Sequence, residues 1–297
     1  MNPKISIVMA TYNRSHLLEQ QLSAFKNQTL PASEFEVIIV NDGSTDHTRE
    51  VLDNWPHDDV QLTVVHKQNG GPAAARNLGV EHARSAIIAF TDDDCIVDND
   101  WLECIVNAFE QDSSLQVLHG STYSNKAEIH PFTHQIECST WCHVVPTCNA
   151  AYKTATFRSL GGFDTHFPFP HNEDTDLAWK AHEITEVKHD PNVRVYHPAI
   201  NVSFRSQLKR MKFLRSEFLL FRKQKNAYQK WRTPNPWVTI YVEVFLKHQW
   251  LTMKSNLSYL LRPMLCMRSV ALTVSCWIYL LILLPEYLAE HKKWRQV

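Results

Sequence analysis

The sequence lacks a surplus of charge of either sign, and its cysteines form no regular framework. Its 30 lysines and arginines are balanced by 31 aspartates and glutamates, which leaves a net charge of −1 over 297 residues. We therefore expect no nucleic-acid partner. The seven cysteines follow no paired spacing, and the N-terminus enters an apolar run at Ile5 without a signal sequence. These absences predict a cytoplasmic chain with free thiols.

Glycine-rich phosphate-binding loops are absent as well. No Gly-x-Gly-x-x-Gly pattern follows the first predicted strand, and no Gly-Lys-Ser or Gly-Lys-Thr occurs anywhere. The dinucleotide cradle and the P-loop are therefore excluded. Any phosphate group that binds to this chain has to be held by side chains and a metal ion.

Short apolar runs alternate with amphipathic stretches over the first hundred residues. The runs predict strands at Ile5–Ala10, Val37–Val40, Leu62–His66 and Ile87–Phe90, and the stretches between them predict helices at Leu17–Asn27, Thr48–Trp55 and Ala73–Arg84. Strands separated by such helices predict an α/β fold with a mostly parallel sheet that is covered on both faces. Ligands of such sheets bind beyond the carboxyl ends of the strands, so the residues that follow each strand are the candidates for function.

Three consecutive aspartates, Asp92, Asp93 and Asp94, follow the fourth predicted strand. Their charges would repel one another if they were buried without compensation, and a divalent cation is the simplest compensation. Alternate residues of an extended segment point the same way, so we expect Asp92 and Asp94 to share a site for Mg²⁺ or Mn²⁺ and a diphosphate. The alternative is a solvated acidic loop.

Asp42 occupies the corresponding position after the second predicted strand. Gly43 permits a tight turn there, and the Asp42 carboxylate can accept a hydrogen bond from the N–H group of a pyrimidine base. The alternative is an Asx-turn that merely ends the strand, and the two roles can coexist.

Six segments of the chain together resemble a family 2 glycosyltransferase with the GT-A fold. In order they are Ile7–Arg14, Val40–Asp46, Gly70–Asn77, Asp92–Asp94, Gly161–Asp164 and Glu173–Leu177. The resemblance extends over about residues 4–200 and implies a Rossmann-like, mostly parallel sheet flanked by helices, with a C-terminal helical extension. It implies a catalytic domain at 1–203, with a nucleotide-sugar half at 1–114 and an acceptor half at 115–203.

The resemblance also implies the roles of individual residues. The nucleotide-sugar site would comprise Thr11, Tyr12, Arg14, Asp42, Arg76, Asp92 and Asp93. The metal, Mn²⁺ or Mg²⁺, would be held by Asp94, Asp92 and His197, with Asp94 as the direct ligand. His197 lies in the segment Val195–Pro198, which resembles the place of a histidine ligand in some family members, although a lone histidine is more often structural.

Asp174 resembles the catalytic base of the family, and Glu173 precedes it at the start of a predicted helix, Asp174–Glu183. An aspartate carboxylate is ionised at neutral pH and can accept a proton from the acceptor hydroxyl. The resemblance implies a single displacement with inversion of the transferred sugar. The alternative for both carboxylates is a surface position in a first helical turn, which the helix dipole favours.

The resemblance implies transfer of a hexose, with a UDP-sugar favoured as donor, to a saccharide or lipid-linked saccharide in cell-surface polysaccharide synthesis. Two alternatives stay open at this point, namely a nucleotidyltransferase on a similar sheet and a non-catalytic nucleotide-binding scaffold.

A short stretch of the chain is rich in histidine and cysteine and leaves a structural zinc site open. The spacing of these residues fits no common zinc motif, so the indication is weak. They are His134, Cys138, Cys142, His143 and Cys148.

Residues 204–297 form a basic and apolar region that we expect to be helical. Apolar residues recur at helical spacing from Phe204 to Phe218, and arginines and lysines occupy the other face. Ser269–Leu284 is largely apolar, with a length between those of a core helix and a membrane span. It leaves three interpretations open, namely a helix on the membrane surface, a packed or dimer-forming helix, and a span. In each we expect the catalytic part to stay in the cytoplasm, in the first case peripheral on the cytoplasmic face of the membrane, and homo-oligomers stay open.

Overall fold

The computed structural model describes residues 2–56, 60–130, 132–248 and 263–295. The chain forms two compact units. The first takes its described residues from 1–124, 135–166 and 173–198, and the second from 125–134, 167–172 and 199–297. The second unit therefore includes two segments from the part that the sequence assigns to the acceptor half, and the boundary at residue 203 stays a prediction.

An eight-stranded sheet forms the centre of the first unit, in the order β3-β2-β1-β4-β8-β6-β9-β5. The pairs β2–β3, β1–β2, β1–β4 and β6–β9 are parallel, whereas β4–β8, β6–β8 and β5–β9 are antiparallel. The mostly parallel α/β sheet is thus confirmed. The strands are β1 (Ile5–Thr11), β2 (Phe35–Asn41), β3 (Gln61–His66), β4 (Ile87–Phe90), β5 (Ile96–Val97), β6 (Val117–Tyr123), β8 (Ala150–Lys153) and β9 (Val187–Tyr196).

Helices cover both faces of this sheet because its central strands are apolar on both sides. Val37, Ile38, Ile39 and Val40 of β2 are all fully buried. Burial of each such side chain contributes about 1.5–3 kcal/mol, so the two faces hold the helices in place. The helices are α1 (Ser15–Lys26), α2 (Thr48–Asp53), α3 (Pro72–His82), α4 (Trp101–Gln111), α5 (Thr154–Ser159) and α6 (Glu173–Ile184), and a 3₁₀ turn, Thr147–Asn149, precedes β8.

The four strands and four helices predicted for the first unit are confirmed, each with ends within two residues of the prediction. The agreement follows from the local apolar pattern, which is a continuous buried run in β2 and a set at helical spacing in α1. The carboxyl ends of β1, β2 and β4 therefore lie at one edge of the sheet, and the candidate residues follow each of them.

The second unit is mainly helical, which confirms the predicted C-terminal helices. A two-stranded antiparallel pair, β7 (Thr133–His134) and β10 (Ile200–Asn201), precedes them. Phe218, Ile240, Leu280, Leu283 and Tyr287 form an apolar core. The helices are α7 (Phe204–Arg210), α8 (Ser216–Lys223), α9 (Lys225–Trp231), α10 (Pro236–Val238), α11 (Pro263–Ile282) and α12 (Leu284–Arg295); a 3₁₀ segment, Met211–Arg215, joins α7 to α8, and π-helical Thr239–His248 follows α10.

A buried carboxylate, Glu217, anchors α8 within the second unit. It forms an ion pair with Arg232, and it accepts hydrogen bonds from the Tyr228 hydroxyl at 2.7 Å and from Asn172 Nδ2 at 3.0 Å. Burial by itself would raise the pKa of Glu217, but the charges and hydrogen bonds of Arg232 and His171 together outweigh it and the pKa is lowered. Because both charges are paired, the carboxylate stays ionised inside the unit.

Candidate active site

The loops that follow β1 and β2 are joined through Asn13. Its backbone lies in the left-handed region, with φ at 54°, and its Oδ1 accepts a hydrogen bond from the Thr45 backbone N–H at 2.7 Å. The Asn13 N–H in turn donates to the Ser44 hydroxyl at 2.9 Å. Tyr12, which precedes this turn, is 47% exposed. The turn therefore leaves an aromatic ring at the ligand edge of the sheet, available for a planar group.

The Asp42 carboxylate lies at this edge and holds the loop that precedes α3. Its Oδ1 accepts hydrogen bonds from Lys67 Nζ at 2.6 Å and from the Gly70 N–H at 2.9 Å. Its Oδ2 accepts from the Gly71 N–H at 2.8 Å. Gly43 follows it with φ at 76°, and a side chain there would lie 2.6 Å from the Asn69 backbone nitrogen. Asp42 thus fixes the shape of the loop at the predicted nucleoside position.

The three consecutive aspartates have different surroundings. Asp93 is buried and accepts a hydrogen bond from the Thr11 hydroxyl at 2.7 Å. Burial and the nearby charge of Asp94 raise the pKa of Asp93 to about 7. Burial, followed by the charge of Asp92, also raises the pKa of Asp94. The site therefore concentrates negative charge, and a cation that binds there would be favoured electrostatically.

Asp92 is paired with a helix residue. Arg76 of α3, whose guanidinium is buried, lies with Nη2 at 2.6 Å from Asp92 Oδ1 and with Nη1 at 3.5 Å from Glu173 Oε1. It also packs over the Phe163 ring at 5.7 Å. One guanidinium thus joins the acidic triplet to the start of α6 and neutralises part of the acidic cluster.

Asp94 and His197 lie together at the end of β9. Asp94 Oδ1 is 3.9 Å from His197 Nε2, and Asp94 Oδ2 is 3.5 Å from Arg14 Nη2. The His197 ring is buried, and its Nδ1 lies 3.0 Å from the Pro198 carbonyl oxygen. That contact assigns the ring proton to Nδ1 and presents the Nε2 lone pair on the side of Asp94.

This pair fits a shared metal ion. Two ligand atoms at about 2.0–2.2 Å from one ion are separated by about 3 Å at right angles and by about 4.2 Å on opposite sides. The observed 3.9 Å between Asp94 and His197 falls within this range. The carboxylate suits Mn²⁺ or Mg²⁺, and the imidazole beside it favours Mn²⁺, since Mg²⁺ prefers oxygen ligands alone.

Asp174 lies in the first turn of α6, next to the buried Glu173. Its Oδ1 accepts a hydrogen bond from the Thr175 N–H at 2.7 Å. The Gly161–Asp164 turn is fixed near this helix by Asn77 of α3, which donates to the Phe163 carbonyl at 2.7 Å and accepts from the Phe163 N–H at 2.9 Å. Gly161 and Gly162 both adopt positive φ in this turn.

A family model, described as glycosyl transferase family 2, matches residues 6–172, which is more than half of the chain. The chain belongs to glycosyl transferase family 2. The "Putative glycosyltransferase EpsH" of Bacillus subtilis is 23% identical over 282 residues, which cover 86% of this chain and 79% of that relative. Other curated relatives match over about a third to a half of their own length.

Solved glycosyltransferase structures share the fold. The mannosyltransferase PcManGT from Pyrobaculum calidifontis, in complex with GDP-Man and Mn²⁺, matches with a TM-score of 0.63 at 21% identity, over 97% of this chain and 88% of that chain. S. aureus TarS with UDP-GlcNAc matches with a TM-score of 0.61 at 17% identity, over 92% and 89%. The GT-A fold is thereby confirmed, and the family assignment sets the nucleotidyltransferase alternative aside.

The glycosyltransferase thus brings the predicted site residues to one unit. Thr11, Tyr12, Arg14, Asp42, Arg76, the three aspartates, Glu173, Asp174 and His197 all belong to the first unit. Their individual roles stay predictions. Sequence reasoning missed Lys67, which binds Asp42, and Asn77, which fixes the Phe163 turn; both lie within or beside quoted motifs, but their partners are distant in sequence.

Proposed function

We propose that this glycosyltransferase transfers a hexosyl group from a nucleotide-sugar to a saccharide or lipid-linked saccharide acceptor, with inversion and with a divalent metal. The observation that supports this best is the pairing of Asp94 with His197, whose proton is held on Nδ1 by the Pro198 carbonyl. The Nε2 atom of the same ring lies 3.9 Å from Asp94 Oδ1, so one ion can contact both side chains.

In this proposal Asp94 and His197 hold Mn²⁺ or Mg²⁺, which when bound would offset the negative charge of the donor diphosphate. Asp42, with Tyr12, borders the nucleoside. The positive charge of Arg76 compensates the negative charges of Asp92 and Glu173, so that the acidic cluster stays ordered before the donor binds. These residues orient the donor for attack on one face of its sugar.

Asp174 then accepts the proton of the acceptor hydroxyl. The acceptor oxygen forms a bond to the anomeric carbon, the bond from that carbon to the diphosphate oxygen breaks, and the nucleoside diphosphate leaves with the bonding electrons. Attack and departure on opposite faces invert the anomeric centre. The half-buried position of Asp174 leaves its carboxylate accessible from solvent, as a base that meets an incoming acceptor requires.

The donor is proposed as a UDP-sugar, with GDP-sugars as the tested alternative. The titles of similar structures name GDP-Man with Mn²⁺ for PcManGT and UDP-GlcNAc for TarS. At these identities both donors are compatible with the fold. A role in cell-surface polysaccharide synthesis belongs to the same proposal.

The decisive experiment for the base is Asp174→Asn. The variant keeps the size of the side chain but removes its basicity, so we expect donor binding within a few-fold of wild type and a loss of transfer of about 10²–10⁴-fold. Glu183→Gln, an exposed position on the same helix, serves as the matched control and should keep full turnover. Turnover is measured as nucleoside diphosphate release with a panel of saccharide and lipid-linked acceptors.

Unchanged turnover in Asp174→Asn would remove Asp174 as the base. Nucleotide binding without any turnover in the wild-type protein, across the acceptor panel and with both metals, would favour the scaffold alternative.

We also propose that the second unit contacts the cytoplasmic surface of a membrane. Side chains on one face of α11 are exposed, including Val270, Val274 and Ile278, while Leu272 and Cys276 on the other face are buried. Among the described helices, none alone is long and apolar enough to cross a bilayer, but the bent pair Val270–Ile282 and Leu284–Lys292 passes by length and composition. An exposed apolar helix face of this kind fits a membrane interface.

Co-sedimentation with vesicles that contain anionic lipids tests this contact. Val274→Glu with Ile278→Glu should abolish sedimentation, whereas Ile184→Glu, an exposed apolar position in the first unit, should not. Wild-type protein that stays in the supernatant at all lipid concentrations would refute the membrane proposal and leave the catalytic one intact.

A further inference from the structure

A second cluster of metal-ligating side chains contains none of the three consecutive aspartates. One ring nitrogen of His119 and the sulfur atoms of Cys138 and Cys142 all lie within 4.8 Å of one another. His119 lies in β6, and both cysteines lie in the segment Gln135–His166, which belongs to the first unit. The two sulfur atoms are 3.4 Å apart.

His119 is the unusual member of this cluster. Its side chain is completely buried, and neither ring nitrogen has a hydrogen-bond partner among the described residues. A buried polar group without a partner costs about 1–3 kcal/mol, and native structures rarely contain one without a reason. The ring of His189 on β9 lies tilted against it, at 4.9 Å between ring centroids, but the Nε2 of His189 is 3.3 Å from the Ser121 hydroxyl.

Both cysteine sulfur atoms have hydrogen-bond partners, whereas the buried His119 ring has none among the described residues. The Cys142 thiol contacts the Val144 carbonyl at 2.8 Å, and Cys138 contacts the Thr140 carbonyl at 3.5 Å. A dithiol or a disulfide would accordingly satisfy both sulfur atoms. Neither gives the buried imidazole a partner, whereas a shared cation supplies one to all three side chains.

The geometry points to a zinc-binding site formed by His119, Cys138 and Cys142, distinct from the metal site of the donor. Zinc–sulfur bonds of about 2.3 Å and zinc–nitrogen bonds of about 2.0–2.1 Å place tetrahedral ligand atoms about 3.6–3.8 Å apart. The two sulfur atoms, at 3.4 Å, are a few tenths of an ångström closer than this, and the His119 nitrogen lies within 4.8 Å of both. Two thiolates and one imidazole select a soft or borderline ion such as Zn²⁺ over Mn²⁺ or Mg²⁺.

Zinc binds a neutral imidazole and thiolates, so zinc binding at this site would release the thiol protons of Cys138 and Cys142.

Such an ion would fasten the cysteine segment to the sheet beside α6. Cys138 already pairs with Thr122 of β6 through both backbone hydrogen bonds, at 2.8 and 2.9 Å. On the other side of the segment, Trp141 donates to the Val187 carbonyl of β9 at 3.1 Å. Trp141 and His143, which flank Cys142, contact His182 and Trp179 of α6 at 5.8 and 6.1 Å between ring centroids. The ion would therefore stabilise the segment that packs beside α6, and a water molecule would complete its four ligands.

Metal content of the full-length protein tests the proposal without any donor or acceptor. Wild-type protein, purified without chelators and then dialysed against excess Mg²⁺, should retain about one zinc per chain by elemental analysis. Replacement by Co²⁺ should give the near-ultraviolet charge-transfer band of thiolate ligands. Cys138→Ser and Cys142→Ser should each weaken zinc binding by more than about 100-fold, since loss of an outer-shell partner alone costs about 10- to 100-fold.

Two controls separate this site from the others. Cys104→Ser changes a half-buried cysteine on α4, and Asp94→Asn changes the predicted donor metal site; both should keep the zinc. If the cysteine variants fold poorly, chelator-induced zinc release from wild-type protein, followed by thiol labelling of Cys138 and Cys142, gives the same information.

Three results would overturn the proposal. They are equal zinc content in wild-type and cysteine-variant proteins, no zinc uptake by wild-type protein in which all thiols are reduced, and a Cys138–Cys142 disulfide in protein purified under reducing conditions. None of these results bears on the glycosyltransferase proposal, which the Asp174 and Asp94 variants test.

Discussion

Replacement of Arg76 by methionine removes a buried cation that forms ion pairs with two carboxylates, those of Asp92 and Glu173. The guanidinium lies 2.6 Å from Asp92 and 3.5 Å from Glu173, and its side chain is only 8% exposed. Methionine keeps most of the apolar volume that packs over Phe163 but leaves both carboxylates without this partner. We expect the ligand-free protein to lose stability, because uncompensated charge would remain inside the first unit.

The magnitude follows from the burial of the two acids. Removal of one partner from a buried ion pair costs about 3–5 kcal/mol. Glu173 is 7% exposed and Asp92 is 21% exposed, so Asp92 can regain some hydration and the lower end, about 3 kcal/mol, applies. Arg76→Lys should be intermediate, since one ammonium group cannot bridge both carboxylates as a planar guanidinium does.

Urea unfolding in the absence of nucleotide and metal measures this loss. With a dependence of about 3 kcal/mol per molar urea, the midpoint of Arg76→Met should fall by roughly 1 M. Arg49→Met, which removes an exposed ion pair with Asp53, is the matched control and should cost less than about 1 kcal/mol. A midpoint of Arg76→Met within the error of wild type, with only nucleotide binding impaired, would refute the structural role and assign Arg76 to the donor.

Two further predictions concern other parts of the fold. The pKa of Glu217 is lowered from its ordinary value of 4.5 in the folded state, so its ion pair with Arg232 contributes stability above about pH 4.5 that is lost as the pH falls through the folded pKa. Glu217→Gln should therefore cost about 3 kcal/mol at pH 7, and the difference from wild type should shrink on acidification in urea titrations; a constant difference would contradict the assignment. Gly120→Ala would place a methyl group 1.9 Å from the Val193 carbonyl oxygen, so we expect at least about 3 kcal/mol of destabilisation or no soluble protein; a wild-type melting temperature would show that β6 and β9 are not packed this closely.

The strands β1 to β4 could be predicted from the sequence because short stretches of neighbouring residues determine them. In β1 to β4 each strand is a single apolar run, and each polar residue of interest follows its strand directly. The segment after β4 is a good example, since Ile87–Phe90 fixes where the aspartates begin. The position of Asp174 at the start of α6 followed from the same kind of local pattern.

The second half of the sheet depends on pairings between distant residues. β6 pairs with β9 from Val117 with Val187 to Tyr123 with Tyr196, and β8 runs antiparallel between β4 and β6. The spacing of apolar residues along the sequence does not determine which strands become neighbours in the sheet. The proximity of His119 to Cys138 and Cys142 has the same origin. From the sequence, the two cysteines were grouped with their neighbours along the chain, His134, His143 and Cys148, and not with His119.

The surroundings of Asp92 show what the alternation of side chains along a strand does not predict. Strand alternation predicts that Asp92 and Asp94 point the same way. The chain turns at Asp93 and Asp94 instead, and Asp92 pairs with Arg76 whereas Asp94 lies beside His197. The rule cannot include Arg76, which reaches Asp92 from a helix that precedes the triplet in the chain. Whether Asp92 also contacts the metal stays a prediction.

The most direct test of the account is thermal unfolding with UDP and GDP, each with and without Mn²⁺. Ligand at about 100 times its dissociation constant adds about 2.7 kcal/mol of stability. We predict such a shift for wild-type protein only when one nucleotide and Mn²⁺ are both present, its loss in Asp94→Asn, and its retention in Asp100→Asn, a neutral change at the N-terminus of α4. An equal nucleotide shift without metal, or an undiminished shift in Asp94→Asn, would contradict a metal-held donor at Asp94 and His197.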